Sequence, residues 1–278
     1  MNQPWIQALV LGPLITTAAC IDVDSNWTFG GGPGAGGAGA GGAGVGGGER
    51  TYADLVLEDE PLAYWRLGEA AGPVVADETL NFEAVAVPQN GAIDWGMPGA
   101  IMNDNDTSLR LAGGARITLN AAIAPVTLGF LGRDPYTLEG WVQPTDGIVH
   151  MLTSSDFIGD PGYSTEMGSG FATVEHIRKG ARTDASTPWP RPTVSDGFHH
   201  VAVTYDGTYA QLYFDGAPTA AEPTLMAIDL SDPGVPYIVA LAGSSESASF
   251  DELAVYDHVL PIQRIVAHYE CGAHGTCE

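Results

Sequence analysis

The sequence predicts an all-β protein, an antiparallel jelly-roll β-sandwich that follows a flexible N-terminal tail. Two runs, 198–205 and 208–215, alternate apolar and polar residues and are joined through Asp206-Gly207, which is a strong hairpin signal. Further short segments of this kind recur over about 220 residues, with turn residues between them. They do not alternate with helical segments, so the pattern favours one antiparallel sandwich over a parallel sheet.

The first twenty residues have the pattern of an export signal that ends in a lipid-attachment site. Residues 5–19 are mostly apolar, and this run is too short to span a bilayer. Thr17-Ala18-Ala19-Cys20 places small residues before a cysteine, as in the bacterial lipobox. We therefore predict a signal peptide at 1–20 and lipidation of Cys20. The alternative is a buried N-terminal helix with an incidental cysteine.

A glycine-rich segment follows and predicts a flexible linker over 21–49. Thirteen of the nineteen residues from Gly30 to Gly48 are glycine, and such a tract has almost no side chains to bury. Its random-coil span of roughly 30 Å would hold the remaining domain, 50–278, clear of a membrane surface. The prediction is a cell-envelope protein, anchored to the outer membrane or cell surface through its N-terminal lipid only.

Within residues 50–278, period-2 alternation marks the strands. In the hairpin, Val201, Val203 and Tyr205 share one face, and the residues between them share the other. Further strands are predicted at 63–67, 108–111, 116–119, 136–143, 148–154, 237–242 and 250–256. One helix is predicted at 261–269, with proline in its first turn.

Composition and motifs exclude several classes of function. The formal charge is −24, with only 10 lysines and arginines, so the chain lacks the basic stripe of a nucleic-acid binder. It contains no Walker A, Rossmann, H-E-x-x-H or G-x-S-x-G motif. The E-x-D-x-x-E strand of glucanases is also absent. We therefore predict a protein without enzymatic activity.

Four blocks in order resemble bacterial laminin-G-like domains of the concanavalin A-like jelly-roll type. They are YADLVLEDEPLAYWRLGE (52–69), YTLEGWVQP (136–144), DGFHHVAVTYDGTYAQLYFDG (196–216) and SFDELAVYDHVLPIQRIVAHY (249–269). The resemblance implies two packed antiparallel sheets of six or seven strands each, with the N- and C-terminal segments paired. It also implies an inward-facing tryptophan, Trp141, on the central strand.

The same resemblance suggests a structural calcium ion. Asp77 and Asn81 lie where such domains often carry an Asp-x-Ser-Gly-Asn loop, and Asp251 lies on the closing strand that is expected nearby. Oxygen ligands from these three residues suit calcium. The alternative is a solvated acidic loop beside an ordinary strand end, and Leu80 stands where the family has glycine.

Two of the three cysteines lie close together near the end of the sequence. Cys271 and Cys277 favour a disulfide, because an exported protein readily closes such a small loop. They could instead form part of a zinc site with His274, although no fourth ligand is apparent.

Trp189 and Arg191 are the predicted ligand contacts. They lie in the strand-breaking run Thr187-Pro-Trp-Pro-Arg-Pro192, which would display an aromatic ring beside a charged group. A tryptophan that folds back over the sandwich edge is the alternative.

The sequence thus predicts a lipid-anchored, non-catalytic module that binds a glycan or a protein. A structural or adhesion protein without a small ligand is one alternative, and a divergent glycoside hydrolase is another.

Overall fold

A computed structural model describes residues 50–119, 128, 130–144, 149–153, 162–168, 171–178, 181–188, 197–230, 238–242 and 246–278. All of these residues belong to one compact unit, Gly47–Glu278. Within these ranges the chain forms two helices and seventeen strands, and the strands make two antiparallel sheets. The predicted all-β antiparallel fold is confirmed.

The first sheet contains nine strands. They are β1 (Ala63–Trp65), β4 (Ala92–Pro98), β5 (Thr107–Ala112), β7 (Tyr136–Pro144), β12 (His199–Tyr205), β13 (Tyr209–Phe214), β14 (Ala217–Pro218), β15 (Thr224–Leu225) and β17 (Ser247–Tyr256). Their order is β14-β13-β12-β7-β17-β5-β4, with β1 paired to β17 and β15 paired to β13. The pairing of β1 with β17 joins the N- and C-terminal segments, as the family resemblance implied.

The second sheet contains eight strands. They are β2 (Val74–Val75), β3 (Ala84–Val87), β6 (Arg116–Leu119), β8 (Val149–Thr153), β9 (Gly162–Gly168), β10 (Phe171–Arg178), β11 (Ala181–Pro188) and β16 (Ile238–Ala242). Their order is β11-β10-β9-β8-β16-β6-β3-β2. Both sheets therefore have more strands than the expected six or seven, because each includes short edge or capping strands.

The main hydrophobic core lies between the two sheets. Val201, Val203 and Tyr205 of β12 point into it, as the alternation predicted, and Trp65 is buried beside them. Ala202 points to the opposite face of the first sheet. Burying aliphatic and aromatic side chains from both sheets supplies the main driving force for this architecture.

A second, smaller core lies between the first sheet and the two helices, α1 (Tyr52–Glu58) and α2 (Ile262–His274). A capping box between Thr51 and Asp54 begins α1, and Gly275 in the left-handed conformation ends α2. Neither helix is long or apolar enough to cross a membrane, and no other helix occurs in the described ranges.

Trp141 belongs to this second core, so the expectation that it faces into the sandwich is wrong. Its neighbours Leu138 and Val142 lie in the main core. Trp141 lies next to Val142 and three positions after Leu138. Because successive side chains of a strand point to opposite faces, Trp141 must face the helices. The indole N–H donates to the Tyr52 hydroxyl of α1, 3.0 Å away.

Candidate functional site

The outer face of the second sheet carries two rows of polar side chains. One row consists of the directly paired residues His150, Glu166, Thr173 and Ser186. The neighbouring row consists of Ser164, Glu175 and Asp184. We call these seven residues the polar face. Side chains at directly paired positions lie about 5 Å apart at Cβ, so the first row is continuous across β8 to β11 and the second across β9 to β11.

The alternation along each strand creates this face. Tyr163 and Met167 of β9 point into the main core, as does Val174 of β10, while the alternate residues of each strand point outward. A strand with period-2 alternation must present its second set of side chains on the other side of the sheet.

The polar face combines a buried floor with an accessible edge. His150 is only 3% exposed, and Ser164, Thr173 and Glu175 are each 5% exposed. Glu166 is half-buried, whereas Asp184 and Ser186 on β11 are exposed. The described helices pack on the other sheet and do not cover this floor. Burying a polar group costs free energy unless the group is hydrogen-bonded, so the stability of the fold depends on the hydrogen bonds of these side chains.

Some of that hydrogen bonding lies within the polar face itself. The Ser164 hydroxyl lies 3.4 Å from Nδ1 of His150, and the Thr173 hydroxyl donates to Ser186 across 3.1 Å. Burial lowers the pKa of His150 to about 4, so its imidazole is neutral at pH 7. A neutral imidazole, hydroxyls and carboxylates together offer both donors and acceptors to a hydroxyl-rich ligand.

A different polar network fastens α2 to the first sheet. The Glu139 carboxylate is fully buried in β7, and Nδ1 of His268 lies 2.9 Å from its Oε1. Nε2 of His268 lies 3.0 Å from Asp59, which also accepts from Arg264 at 2.7 Å. Burial opposes the charge on His268, but the two carboxylates outweigh it and raise its pKa to about 9. This network is a structural ion cluster that locks the helix in place.

A third polar cluster surrounds Glu252 at the centre of β17. Glu252 accepts from the Tyr64 hydroxyl and from Arg66, whose Nη2 also pairs with Asp104 at 2.9 Å. Burial raises the pKa of Glu252 to about 7, against the opposing effect of Arg66. Burial and the Glu252 charge also raise the pKa of Asp251 well above its usual value. The single guanidinium of Arg66 faces three carboxylates, those of Asp104, Asp106 and Glu252, so the carboxylates outnumber the cation in this cluster.

A family model described as the concanavalin A-like lectin/glucanases superfamily, of the laminin-G type, matches residues 111–266. The match covers more than half of the chain and spans both sheets. The chain belongs to the concanavalin A-like lectin/glucanase superfamily. No curated protein matches the sequence.

Solved structures share this fold at low sequence identity. The binding domain of botulinum neurotoxin DC in complex with rat synaptotagmin II superposes with a TM-score of 0.57 at 9% identity, over 76% of this chain and 52% of that one. A structure of botulinum neurotoxin type C, whose cell entry depends on interaction with two ganglioside molecules, gives a TM-score of 0.56 at 9% identity, over 77% of this chain and 51% of that one. The concanavalin A-like chain thus spans about half the length of these domains.

The predicted calcium ligands lie in separate hydrogen-bonded environments. The Asp77 carboxylate accepts from the backbone N–H groups of Tyr64, Thr79, Asn81 and Phe82, at 2.8 to 3.0 Å. The Asn81 side chain donates to the Leu62 carbonyl, and Asp251 accepts from the backbone of Ala100 at 2.7 Å. Among the described residues, no three His, Cys, Asp or Glu side chains form a group that could hold a metal ion. Asp77 therefore organises the loop between β2 and β3 through its own hydrogen bonds.

The remaining predicted site residues divide into two sets. A disulfide joins Cys271 and Cys277, with their Cα atoms 4.4 Å apart, so neither sulfur is available as a zinc thiolate. Cys20, Trp189 and Arg191 lie outside the described residues. Trp189 follows β11 directly in the chain, and β11 carries the exposed edge of the polar face. Sequence reasoning missed the polar face, although its signal was present as alternation over 162–167.

Proposed function

We propose that the protein is a non-catalytic binding module whose polar face binds a glycan. The observation that carries this proposal is the pair of polar rows on the outward side of the second sheet, which include the accessible Glu166, Asp184 and Ser186. Sugar hydroxyls act as donors and acceptors at once, and the neutral His150 ring, the hydroxyls and the carboxylates of the polar face match that requirement.

The similar structures support a binding role. One is a complex with synaptotagmin, a protein, and another is of a toxin that interacts with gangliosides, which are glycolipids. The concanavalin A-like superfamily is itself described by its lectins and glucanases. A glycan or protein ligand is thus consistent with the fold, and the chemistry of the polar face favours the glycan.

A glycan array with the whole chain tests this proposal. Asp184→Asn keeps the shape of an exposed side chain of the polar face but removes its charge, and we expect it to weaken binding of any glycan identified by about tenfold or more, since one charged hydrogen bond is worth about 1.5–3 kcal/mol. Glu222→Gln is the control, because Glu222 is an exposed carboxylate outside the polar face. Equal binding by wild type and Asp184→Asn, or no glycan bound at all, would contradict the proposal.

We further propose that the module is exported and anchored through a lipid on Cys20. The apolar segment before Cys20, the small residues at 17–19 and the glycine-rich linker after it support this reading. Cys20→Ser should move the protein from the membrane fraction to the soluble fraction after cell lysis. An unchanged distribution would refute lipid anchoring and leave the binding proposal intact.

A divergent glycoside hydrolase is the second candidate, and one observation favours it. Glu166 pairs with Thr173, and Glu175 lies two residues further along β10, so the two carboxylates are diagonal neighbours on one face. Diagonal positions are about 7–8 Å apart, which overlaps the carboxyl separation of inverting glycosidases. Release of reducing sugar from a bound glycan, lost in both Glu166→Gln and Glu175→Gln, would establish this alternative.

A further inference from the structure

A cleft of about 490 Å³ opens on the helix-covered side of the protein, away from the polar face. Three segments that are distant in sequence form it: residues 50–52 before and at the start of α1, the loop 101–105, and residues 275–278 after α2. Its volume falls within the roughly 300–1,000 Å³ typical of small-ligand pockets.

The walls of the cleft are held in place from several directions. The backbone N–H of Met102 donates to the Gly272 carbonyl across 2.8 Å, which ties the loop to α2. The Asp104 carboxylate is fixed by Arg66 at 2.9 Å, and the disulfide between Cys271 and Cys277 closes the third wall. The cleft is therefore formed before any ligand arrives, which lowers the entropic cost of binding.

The lining lacks the features of a sugar site. The Tyr52 ring is 1% exposed, and its hydroxyl is engaged with Trp141, so it offers no surface on which a pyranose could stack. The exposed apolar side chain in the cleft is that of Met102, at 50% exposure. Methionine is flexible and polarizable, and it adapts to aliphatic side chains of varied shape.

The polar groups of the cleft match a peptide backbone. Asn103 and Asn105 each carry a carboxamide, which has the same donor and acceptor as a peptide group. The Arg50 guanidinium also lines the cleft, with its side chain 27% exposed, and its Nη2 pairs with Glu58. A guanidinium carries five N–H donors, so those not used by Glu58 can donate to a carbonyl oxygen of a ligand.

We propose that this cleft binds a short, extended peptide segment that carries an aliphatic and a basic side chain. The peptide carbonyl accepts from Arg50, its backbone amides pair with the two asparagines, and its aliphatic side chain packs on Met102. The basic side chain lies near Glu278, whose carboxylate gives this end of the cleft negative charge. The protein would thus hold a peptide on one side and a glycan on the other.

The test uses the whole chain and the capped tetrapeptide acetyl-Gly-Leu-Lys-Gly-amide, followed by NMR of backbone amides. We expect the peptide to shift the signals of residues 101–105 and 275–278. Replacing its lysine by glutamate should weaken binding severalfold, because the Glu278 end of the cleft is negatively charged. Met102→Ala and Asn105→Ala should each weaken it at least fivefold. Both side chains are exposed, so these variants retain the fold.

Three outcomes would overturn the peptide proposal. One is the absence of shifts at the cleft with millimolar peptide. Another is binding that neither Met102→Ala nor Asn105→Ala weakens. Maltotriose, a neutral sugar, is the comparison ligand, and shifts at the cleft from this sugar but not from the peptide would also reject the proposal. Asp184→Asn in the polar face should leave peptide binding unchanged, so failure of one site is distinguishable from failure of the other.

Discussion

The ion cluster beneath α2 gives a stability prediction that can be worked from its geometry. His268 is completely buried, and its two ring nitrogens lie 2.9 Å from Glu139 and 3.0 Å from Asp59. Its pKa rises from 6.5 to about 9, which favours the charged form in the folded state by roughly 3 kcal/mol. Breaking a buried ion pair by removing one partner costs about 3–5 kcal/mol, which agrees in size.

The pH dependence follows from the direction of that shift. A histidine with a raised pKa in the folded state stabilises the protein fully below its unfolded pKa, and this contribution is lost as the pH rises through about 9. His268→Gln should therefore be less stable than wild type by roughly 3 kcal/mol near pH 6, and the difference should shrink towards zero near pH 10.

Urea unfolding of both proteins across this pH range is the assay. His258→Gln is the matched control, because His258 is 43% exposed and borders the exposed Asp257. We expect this control to change the free energy of unfolding by no more than about 0.5 kcal/mol at any pH. The reasoning fails if His268→Gln is as stable as wild type near pH 6, or if its deficit is the same near pH 10.

Three further predictions concern other parts of the fold. Burial raises the pKa of Glu252 to about 7, so the folded state favours the protonated carboxyl. Its contribution to the free energy of unfolding is therefore lost as the pH rises from about 4.5 through 7. Glu252→Gln should flatten the pH dependence of urea unfolding in that window. A slope equal to that of wild type would disprove it. Gly140→Ala would place a methyl group against Leu253 and 3.1 Å from the Met151 sulfur. This overpacking should lower the free energy of unfolding, measured in urea, by about 1–3 kcal/mol. An unchanged free energy would show that the two sheets can move apart there. Replacing both Cys271 and Cys277 by serine should lower the free energy of unfolding by about 2 kcal/mol, because the disulfide, which joins positions six apart, restricts the unfolded chain. An unchanged thermal midpoint would indicate that α2 alone fixes this segment.

The hairpin of β12 and β13 was predictable because several local signals agree. Alternation of apolar residues, the Asp206-Gly207 turn and the buried identity of Val201 and Val203 all favour the same register. Gly207 adopts a φ of +94°, which glycine reaches without strain. Where local propensity and tertiary packing agree in this way, sequence alone suffices.

The helix α1 was missed because it has only seven residues and no long amphipathic pattern. Its capping box, Thr51 to Asp54, was the available signal. The helix is stable because Leu55 and Val56 are buried in the second core, and this packing depends on residues that lie far along the chain. Such packing is a tertiary effect that a local pattern does not reveal.

Strands β9 to β11 were missed for a different reason. Their outward residues are polar, and one that faces inward, Thr165, is polar as well, so the contrast between the two faces is weak. Their place in the sheet comes from cross-strand register with β8, which is a non-local property. The candidate site could not be assembled from sequence, because its residues become neighbours only when four strands pair.

The two outer faces of the sandwich both contain buried polar side chains, but they differ in what packs against them. On the first sheet, buried Glu139 receives charged partners from α2, so that face is closed and its polar groups serve stability. On the second sheet, the buried hydroxyls of Ser164 and Thr173 hydrogen-bond to other members of the polar face, and neither described helix packs on this sheet. A face selected only for stability would carry apolar residues there, since burying them lowers the free energy of the fold. Proteins depart from such rules mainly where function requires it, which is why the polar face, and not the helix-covered face, is the place to look for the glycan.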